Sequence, residues 1–487
     1  MNRRYKFDHA KIDQTSTILY IPSNTYFYLT GYFNFEVLSG EVYLNGTPIK
    51  PSIHHIEQSH YSPAFQFVCL TDSEIKFSKS NSIHPDLFSL SPKYLKKQSV
   101  LSDMKLSEKT FPFGGIKIVN ETNCDKMTIS QHWRQLLKRM ENTAKEGAAR
   151  IAIVGGKGTG KSTFCNMLMN TLVMNGNVCV MDIDPGQPFS GIIGTFSLLI
   201  YDKQDFNEYF MKQQPFEKVT FAIGTNAMSG THTTLIINTV KKLVEIYIEK
   251  YSHLPLIINT CGWITGFGFE LLEMELSLTK TQFLIDINKE RPLEGLDHLQ
   301  ALHIGISPCN MNNTNGSSRK GNELDNIFSP PVRREICMKN VMKNSSWFSI
   351  PLKKIVFQYI DDMDEHFALA AMNERFVFLC IQPEWNATIE KNNTEYPVFY
   401  RNENYQPIHV VGVGIAVVNP VGKTLFVQTA VSDEIMKNVN AIFYSAFMEC
   451  PPMNTIAEGE IAPYMAYDQD ILGSERSQFK FIKRVFQ

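Results

Sequence analysis

The chain has 487 residues, enough for two or three domains, and 43% of them are hydrophobic, ample for ordinary cores. Its formal net charge of −2 leaves no global basic field, so any nucleic acid must be held by a local patch. No run of about 18 apolar residues marks a membrane span. Met1 to Asp8 is charged and lacks the apolar core of a secretory signal. Nine scattered cysteines without a C-x-x-C pair indicate neither a zinc site nor a disulfide framework. The chain reads as intracellular and reduced, and its N-x-S/T sequons, as at Asn312, Asn386 and Asn392, read as asparagine-rich loops.

Residues 1–122 consist of short alternating apolar runs, clearest at 25–32, 35–38, 41–44 and 65–70. Ser39-Gly40 and Asn45-Gly46 are hairpin punctuation. This predicts a small antiparallel, sandwich-like β domain with a structural or docking role. Over 129–148 the period changes: Trp133, Leu136, Leu137 and Met140 recur at helical spacing, with cations between them.

Residues 123–345 read as an α/β unit built around Gly155-Gly156-Lys157-Gly158-Thr159-Gly160-Lys161-Ser162-Thr163. This stretch fits the phosphate-loop pattern of Gly, four residues, then Gly-Lys-Ser. The apolar run Ile151 to Val154 precedes it, and a helical pattern (Phe164, Met167, Leu168, Leu172) follows. Strand, glycine loop and helix are the context the motif needs. The loop turns backbone N–H groups toward a polyphosphate, and the helix aims its positive end there. Lys161 then reaches the terminal phosphates, and the Ser162 hydroxyl holds Mg²⁺.

A second buried strand, Val178 to Ile183, ends in Asp182-Ile183-Asp184-Pro185-Gly186-Gln187. Carboxylates at a strand's carboxyl end lie where open parallel sheets place their sites. Asp182 and Asp184 alternate, so only one of them faces the phosphates. A third strand, 219–223, runs into Gly224-Thr225-Asn226-Ala227-Met228, either a substrate loop or a plain connection, and a helix follows over 235–251. A fourth strand, 256–258, leads into Asn259-Thr260-Cys261-Gly262-Trp263-Ile264-Thr265-Gly266-Phe267-Gly268. Trp263 there is either a stacking platform for a base or a lid packed on the core. A fifth strand spans 283–287.

Residues 307–332 read as a polar insertion, and Arg333, Arg334 and Lys339 open a helix that is either a phosphate-closing lid or a solvated basic face. Residues 346–487 return to β runs, at 354–359, 376–381, 410–418 and 425–428, interrupted by a second polar insertion at 386–405. The end, 479–486, interleaves cations with aromatics, as a tail that docks on a partner or on RNA, or that frays.

The nucleotide is the next question. A guanine switch needs Asp-x-x-Gly, but Pro185 and Gln187 stand three residues after Asp182 and Asp184. Asn288-Lys289-Glu290-Arg291 lacks the acid that ends a guanine-reading motif. ATP is therefore expected.

Three motifs, Gly156 to Phe164, Asp182 to Pro188 and Asn259 to Gly268, come in an order and spacing that resembles the polynucleotide 5′-hydroxyl kinases, in particular their nucleolar, pre-ribosomal-RNA branch. The likeness extends diffusely to Leu38 to Val42, Gly412 to Ile415 and Pro463-Tyr464. It implies a P-loop NTPase core, a parallel sheet with helices on both faces, between an N-terminal β domain and a C-terminal β-rich domain. It implies ATP and Mg²⁺ as cofactors and RNA with a 5′-hydroxyl end as substrate, during internal transcribed spacer processing. It also implies a HEPN-type endoribonuclease as partner, no membrane, and residence in the nucleus and nucleolus.

Residue by residue, the resemblance implies that Lys161 stabilises the transferring group, and that Ser162 and Asp184 hold Mg²⁺ or align the attacking hydroxyl, Asp184 being favoured because it precedes the Gly186-Gln187 pair. Gln187, Thr225 and Trp263 would meet substrate, and Arg334 would close as a lid. The chain departs from the family where Asn226-Ala227 replaces Ser-Pro, and where Cys337 replaces a second lid arginine. An ATP-binding scaffold with little or no kinase activity is the alternative reading.

Overall fold

The computed structural model describes residues 3–57, 64–80, 104–119, 126–207, 215–226, 228, 230, 232–288, 293–308, 310–312, 330–360, 365–419, 421 and 423–445. The tail at 479–486, Pro463-Tyr464, Lys289 to Arg291, Ala227 and most of the 307–332 insertion therefore lie outside the described residues.

The N-terminal region forms one ten-stranded β structure, with strands pairing around the long strand Thr25–Ser39. The sequence pattern predicts two strands in that stretch; the chain makes one, bent near Gly31. Its first half pairs with Phe65–Cys69, and its second half with Ile53–Glu57 and Ser73–Lys79. At Gly31 φ is +125°, and a Cβ would lie 2.0 Å from the Gly115 carbonyl oxygen, so only glycine lets the sheet fold over itself here. The core between the layers is aromatic: Phe27 stacks on Phe67, and Phe33, Phe35 and Phe77 are fully enclosed.

In the central region the elements are α1 (Gln131–Glu146), β1 (Arg150–Val154), α2 (Lys161–Leu172), β2 (Val178–Ile183), β3 (Thr195–Tyr201), β4 (Glu217–Ala222), α3 (Thr233–Ile246), β5 (Leu256–Thr260), α4 (Phe267–Leu278), β6 (Phe283–Ile287), β7 (Leu302–Ile306), α5 (Pro330–Val341) and β8 (Ile408–His409). The sheet order is β7-β6-β1-β5-β2-β3-β4-β8. Alternate residues of each strand serve opposite faces. Ile151 and Ile153 face the core shared with α1 and α2, while Ala152 and Val154 face the core shared with α3 and α4.

The expected parallel sheet is corrected at one side. β7, β6, β1, β5 and β2 are parallel, but β3 runs antiparallel to β2 and β4 antiparallel to β3. The sequence reading has no strand at β3, Thr-Phe-Ser-Leu-Leu-Ile-Tyr, whose seven residues are buried on both faces and keep no alternation along their length.

Two joints tie the regions together. Residues 202–207, after β3, reach into the N-terminal β structure. Phe206 enters its aromatic core and meets His54 edge-on at 5.4 Å. Gln204 donates to the Pro48 carbonyl (2.7 Å) and accepts from the Lys50 N–H (2.8 Å), while Asn170 of α2 accepts from the Asp205 N–H (2.7 Å). On the other side, β8 comes from the C-terminal third and pairs with β4.

The C-terminal region is a seven-stranded mixed sheet, and one face packs on the central region through Ile192, Ile193, Leu235, Cys337 and Met338. The 386–405 insertion is corrected as well. It holds a short helix, Asn386–Glu390, and a strand, Val398–Arg401, that pairs in parallel with Val356–Tyr359. That strand lies at the edge of the sheet, with Val398 and Tyr400 packed on one face and Phe399 on the other.

Candidate active site

The phosphate loop closes the carboxyl end of β1 at the centre of the parallel strands. Gly155 (φ +145°), Gly158 (φ +74°) and Gly160 (φ +100°) hold backbone that side chains resist. A Cβ at Gly155 would lie 2.3 Å from the Ile287 carbonyl oxygen of β6. Gly160 caps α2, and the Trp133 ring lies beneath it, 3.3 Å from its Cβ position and 5.0 Å from the Phe164 ring. The Trp133 indole N–H donates to the Ser307 carbonyl (2.8 Å). Trp133 is thus a buried buttress of the loop, as its helical stripe predicts. Thr159 closes the loop with a bond from its hydroxyl to the Gly156 carbonyl (3.0 Å).

Lys161 is buried, and its ammonium donates to the Gly155 carbonyl (2.9 Å) and the Gly156 carbonyl (3.1 Å). Burial lowers its pKa below the usual lysine value, and the Asp184 carboxylate beside it pulls the value back up. Lys157 is exposed at the apex of the loop, while Ser162 and Thr163 are half-buried at the start of α2.

β2 ends at Ile183, and its two acids part as alternation predicts. Asp182 is fully enclosed. Register sets it beside Asn259 of β5, whose side-chain amide donates to it at 2.8 Å, and the Phe189 N–H donates to its other oxygen at 2.6 Å. The Cys165 thiol donates to Asn259 from α2 (3.4 Å). Burial pushes Asp182 up to about 8, so it serves as a hydrogen-bonded strut. Asp184, just past the strand, is half-buried and lies on the phosphate-loop side. Burial raises its pKa, and Lys161 first, then the Gly186 and Gln187 backbone N–H groups, draw it back down. The Gly186 N–H bond to its Oδ1 is 3.0 Å.

β5 lies between β1 and β2, so the loop after it fills the space between Lys161 and Asp184. A Cβ at Gly262 would sit 3.1 Å from the Lys161 ammonium and 3.0 Å from Lys157 Cγ. Trp263 follows at once, half-buried, with its ring against the first turn of α4. A Cβ at Gly268 would fall 2.3 Å from the Trp263 ring, so glycine is needed there for close approach. Phe267, 40% exposed, tilts against Trp263 at 6.0 Å between centroids. The ring is therefore neither a buried core residue nor free.

Thr225 is buried in the loop after β4, and Gln187 is half-buried in the Asp184 turn. The two loops touch, because the Asn226 carbonyl oxygen lies 2.9 Å from the Cβ position of Gly186. Arg334 is half-buried on α5 and joins the site indirectly: Cys337 and Met338 of that helix pack with Ile192 and Ile193 of the segment that follows the Asp184 turn. Cys337 is 1% exposed in an apolar core, which accounts for the missing arginine.

Sequence reasoning overlooked two residues. Asn259 was legible only as part of a motif; its partnership with Asp182 comes from strand register. Glu275 is an acid on the apolar face of α4, 3% exposed, with one oxygen lacking a partner, and burial pushes it up to about 8. The signal for it is an acid at the helical period of Gly268, Leu271 and Leu272.

Among the described residues no cluster of three acidic, histidine or cysteine side chains could hold a metal by itself. Ser162 and Asp184 still suit Mg²⁺, which takes one or two protein oxygens and completes its shell with phosphates and water. No described helix is long and apolar enough to cross a membrane.

Comparison with known proteins agrees with this geometry. Residues 155–319 match the family model for the mRNA cleavage and polyadenylation factor CLP1 P-loop. The polynucleotide 5′-hydroxyl-kinase GRC3 of Gibberella zeae is 27% identical over 297 residues, 56% of this chain and 41% of that protein. The polyribonucleotide 5′-hydroxyl-kinase Clp1 of Rattus norvegicus is 27% identical over 163 residues, 32% of this chain and 37% of that protein. The chain thus spans less than half the length of these relatives. A solved chain from the wild-type Clp1p–Pcf11p complex shares the fold, with a TM-score of 0.56 at 10% identity over 89% of this chain and 98% of that one. Over residues 155–319 this chain is thus similar to the CLP1 P-loop family, and it resembles the GRC3 and Clp1 polynucleotide 5′-hydroxyl kinases through that region and the motifs in it.

Proposed function

We propose that this chain transfers the γ-phosphoryl group of ATP to the 5′-hydroxyl end of RNA. The observation that carries this reading is the convergence of Lys161, Asp184 and the Gly262-Trp263 step at one phosphate loop, with Gly262 against the Lys161 ammonium. A nucleotide-binding module needs the loop alone. A carboxylate and a half-exposed tryptophan beside it suit a second substrate with a hydroxyl and a base.

In the reaction the 5′ oxygen bonds to the γ-phosphorus, the bond from that phosphorus to the β,γ-bridging oxygen breaks, and ADP leaves. The hydroxyl proton passes to Asp184, the carboxylate that lies beside Lys161 at the carboxyl end of β2. Lys161 exchanges its bonds to the loop carbonyls for the transferring phosphoryl group, where it offsets developing charge. Ser162 and Asp184 would hold Mg²⁺, which supplies charge neutralisation on the phosphates when bound. Trp263 offers sequence-tolerant stacking for the terminal base, and Gln187 and Thr225 line the acceptor side. Arg334 is assigned to closure over the phosphates.

The proposal extends to ribosomal RNA maturation at the internal transcribed spacer, beside a HEPN-type endoribonuclease that leaves 5′-hydroxyl ends, in the nucleolus of the nucleus. Its support is the resemblance of the three motifs to the nucleolar branch and the match to GRC3. The test is transfer of labelled γ-phosphate to a 5′-hydroxyl RNA, with Lys161→Ala as control. ATP binding without transfer would favour the scaffold reading instead.

A further inference from the structure

The apex of the phosphate loop, Gly155-Gly156-Lys157-Gly158, carries a single side chain, that of Lys157, and the reaction leaves it unassigned. An exposed lysine at a loop apex is ordinarily a solvated charge. Lys157 differs in two ways. Its stem is held: a Cβ at Gly262, in the loop after β5, would lie 3.0 Å from Lys157 Cγ and 3.1 Å from its backbone nitrogen. The same point is 3.1 Å from the Lys161 ammonium, so the loop after β5 brings the two lysines to one place. Its charge is also felt inside the cleft. Burial raises Asp184, and Lys157 joins Lys161 and two backbone N–H groups in drawing it back down. Burial lowers Lys161, and the Lys157 charge adds to that lowering. Yet among the described residues no carboxylate lies within ion-pair distance of Lys157. Two cations gathered at one glycine repel each other until an anion comes between them.

We propose that Lys157 is a second catalytic cation, its ammonium closing on the γ-phosphoryl oxygens as that group leaves ADP. This rests on the polynucleotide-kinase reading. Charge in the transferring group spreads over its three outer oxygens, and catalysis consists largely of offsetting it in place. Lys161 meets that charge from a buried seat, where its ammonium bonds the Gly155 and Gly156 carbonyls before the nucleotide arrives. Lys157 meets it from the exposed apex. Beyond its packed Cγ, two methylenes and an ammonium with three donors remain to follow the moving group. Glycine at 262 is what lets both side chains approach, because any Cβ there would press on each of them.

The full-length chain is assayed with a 5′-hydroxyl RNA oligomer and ATP. Lys157→Met keeps the unbranched stem and removes the charge. The expected result is a kcat lowered about a hundredfold, the scale for one lost transition-state donor. The KM values for ATP and RNA and the Tm of the ligand-free chain are unchanged, which marks an interaction made only in the transition state. Lys157→Arg keeps the charge and restores most of the rate. ADP with aluminium fluoride, a mimic of the transferring group, binds Lys157→Met more weakly than wild type, whereas ATP binds both equally. An unchanged kcat in Lys157→Met overturns the proposal. So does a raised KM for ATP at unchanged kcat, which makes Lys157 a ground-state nucleotide contact. A lowered Tm, with Lys157→Arg as slow as Lys157→Met, makes the residue structural and overturns it too. A wild-type chain that binds ATP without transferring phosphate sinks the kinase reading and this one with it, whereas an active wild type beside an equally active Lys157→Met sinks this one alone.

Discussion

The phosphate-loop side of the cleft and the side proposed for the acceptor are built differently. The phosphate loop comes from one continuous strand–loop–helix unit, its ammonium bonded to its own carbonyls and its cap resting on Trp133. The acceptor side is assembled from loops after β2, β4 and β5, and the C-terminal sheet presses on one of them through Phe443 and Ser445. The Lys161 ammonium is bonded without ligand; the other side holds a buried amide nitrogen unpaired among the described residues and a half-buried indole. Local sequence suffices to form a nucleotide site, whereas recognition of a second, larger substrate needs surfaces brought from distant parts of the chain.

The comparison can be broken first on the donor side. Lys161→Ala should lower kcat about a thousandfold, the scale for loss of one transition-state donor, and single-turnover transfer measures it. Equal activity in that variant would refute the phosphate-loop mechanism. Gly160→Ala places a side chain at φ +100° and 3.3 Å from the Trp133 ring. ATP binding measured by calorimetry should fall at least tenfold, with a lower Tm, because strain and crowding act together.

On the acceptor side the effects should be smaller and confined to RNA. Trp263→Ala removes stacking that is typically about 1–3 kcal/mol per base, so the KM for RNA should rise by roughly 5- to 160-fold while the ATP constant holds. Gly268→Ala should reproduce part of that loss by displacing the ring. A matching loss for ATP would mean that the two sides are one rigid unit.

The smallest effect concerns Glu275. Its folded pKa is raised from the usual 4.5 to about 8, so the folded chain binds more protons than the unfolded chain between these values. Stability must then fall as pH rises through that window, with the full penalty present above about 8. Asp182, raised from 3.8 to about 8, contributes in the same sense. Glu275→Gln should flatten the decline of Tm between pH 5 and pH 8 without abolishing it. An unaltered slope would show that Glu275 is solvated in the folded chain.

Much of the core was legible because its signals are local. The apolar run Ile151 to Val154, the stripe of Trp133, Leu136, Leu137 and Met140, and the Gly-Lys-Ser run each specify an element within a few residues of themselves. β3 was not legible, since Thr195 to Tyr201 is buried throughout and shows neither period. Asn226 was visible only as a departure from a motif; that its amide lacks a partner depends on loops far away in sequence. Cys337 looked like a lost arginine, and its burial among C-terminal residues gives the position a packing role.

The sequence by itself determined the phosphate loop and its flanking strand and helix, because glycine conformations, an apolar run and a helical stripe act over a few residues. It also determined that Asp182 and Asp184 part, since successive side chains of a strand point oppositely. Only the tertiary structure decided which acid serves the cleft: the register of β2 against β5 gives Asp182 to Asn259 and leaves Asp184 facing Lys161. It likewise decided that Trp263 follows a glycine pressed on the Lys161 ammonium, and that the Asn226 side-chain nitrogen is buried without a partner among the described residues. These are contacts between segments tens of residues apart, and their geometry exists only once the sheet has closed.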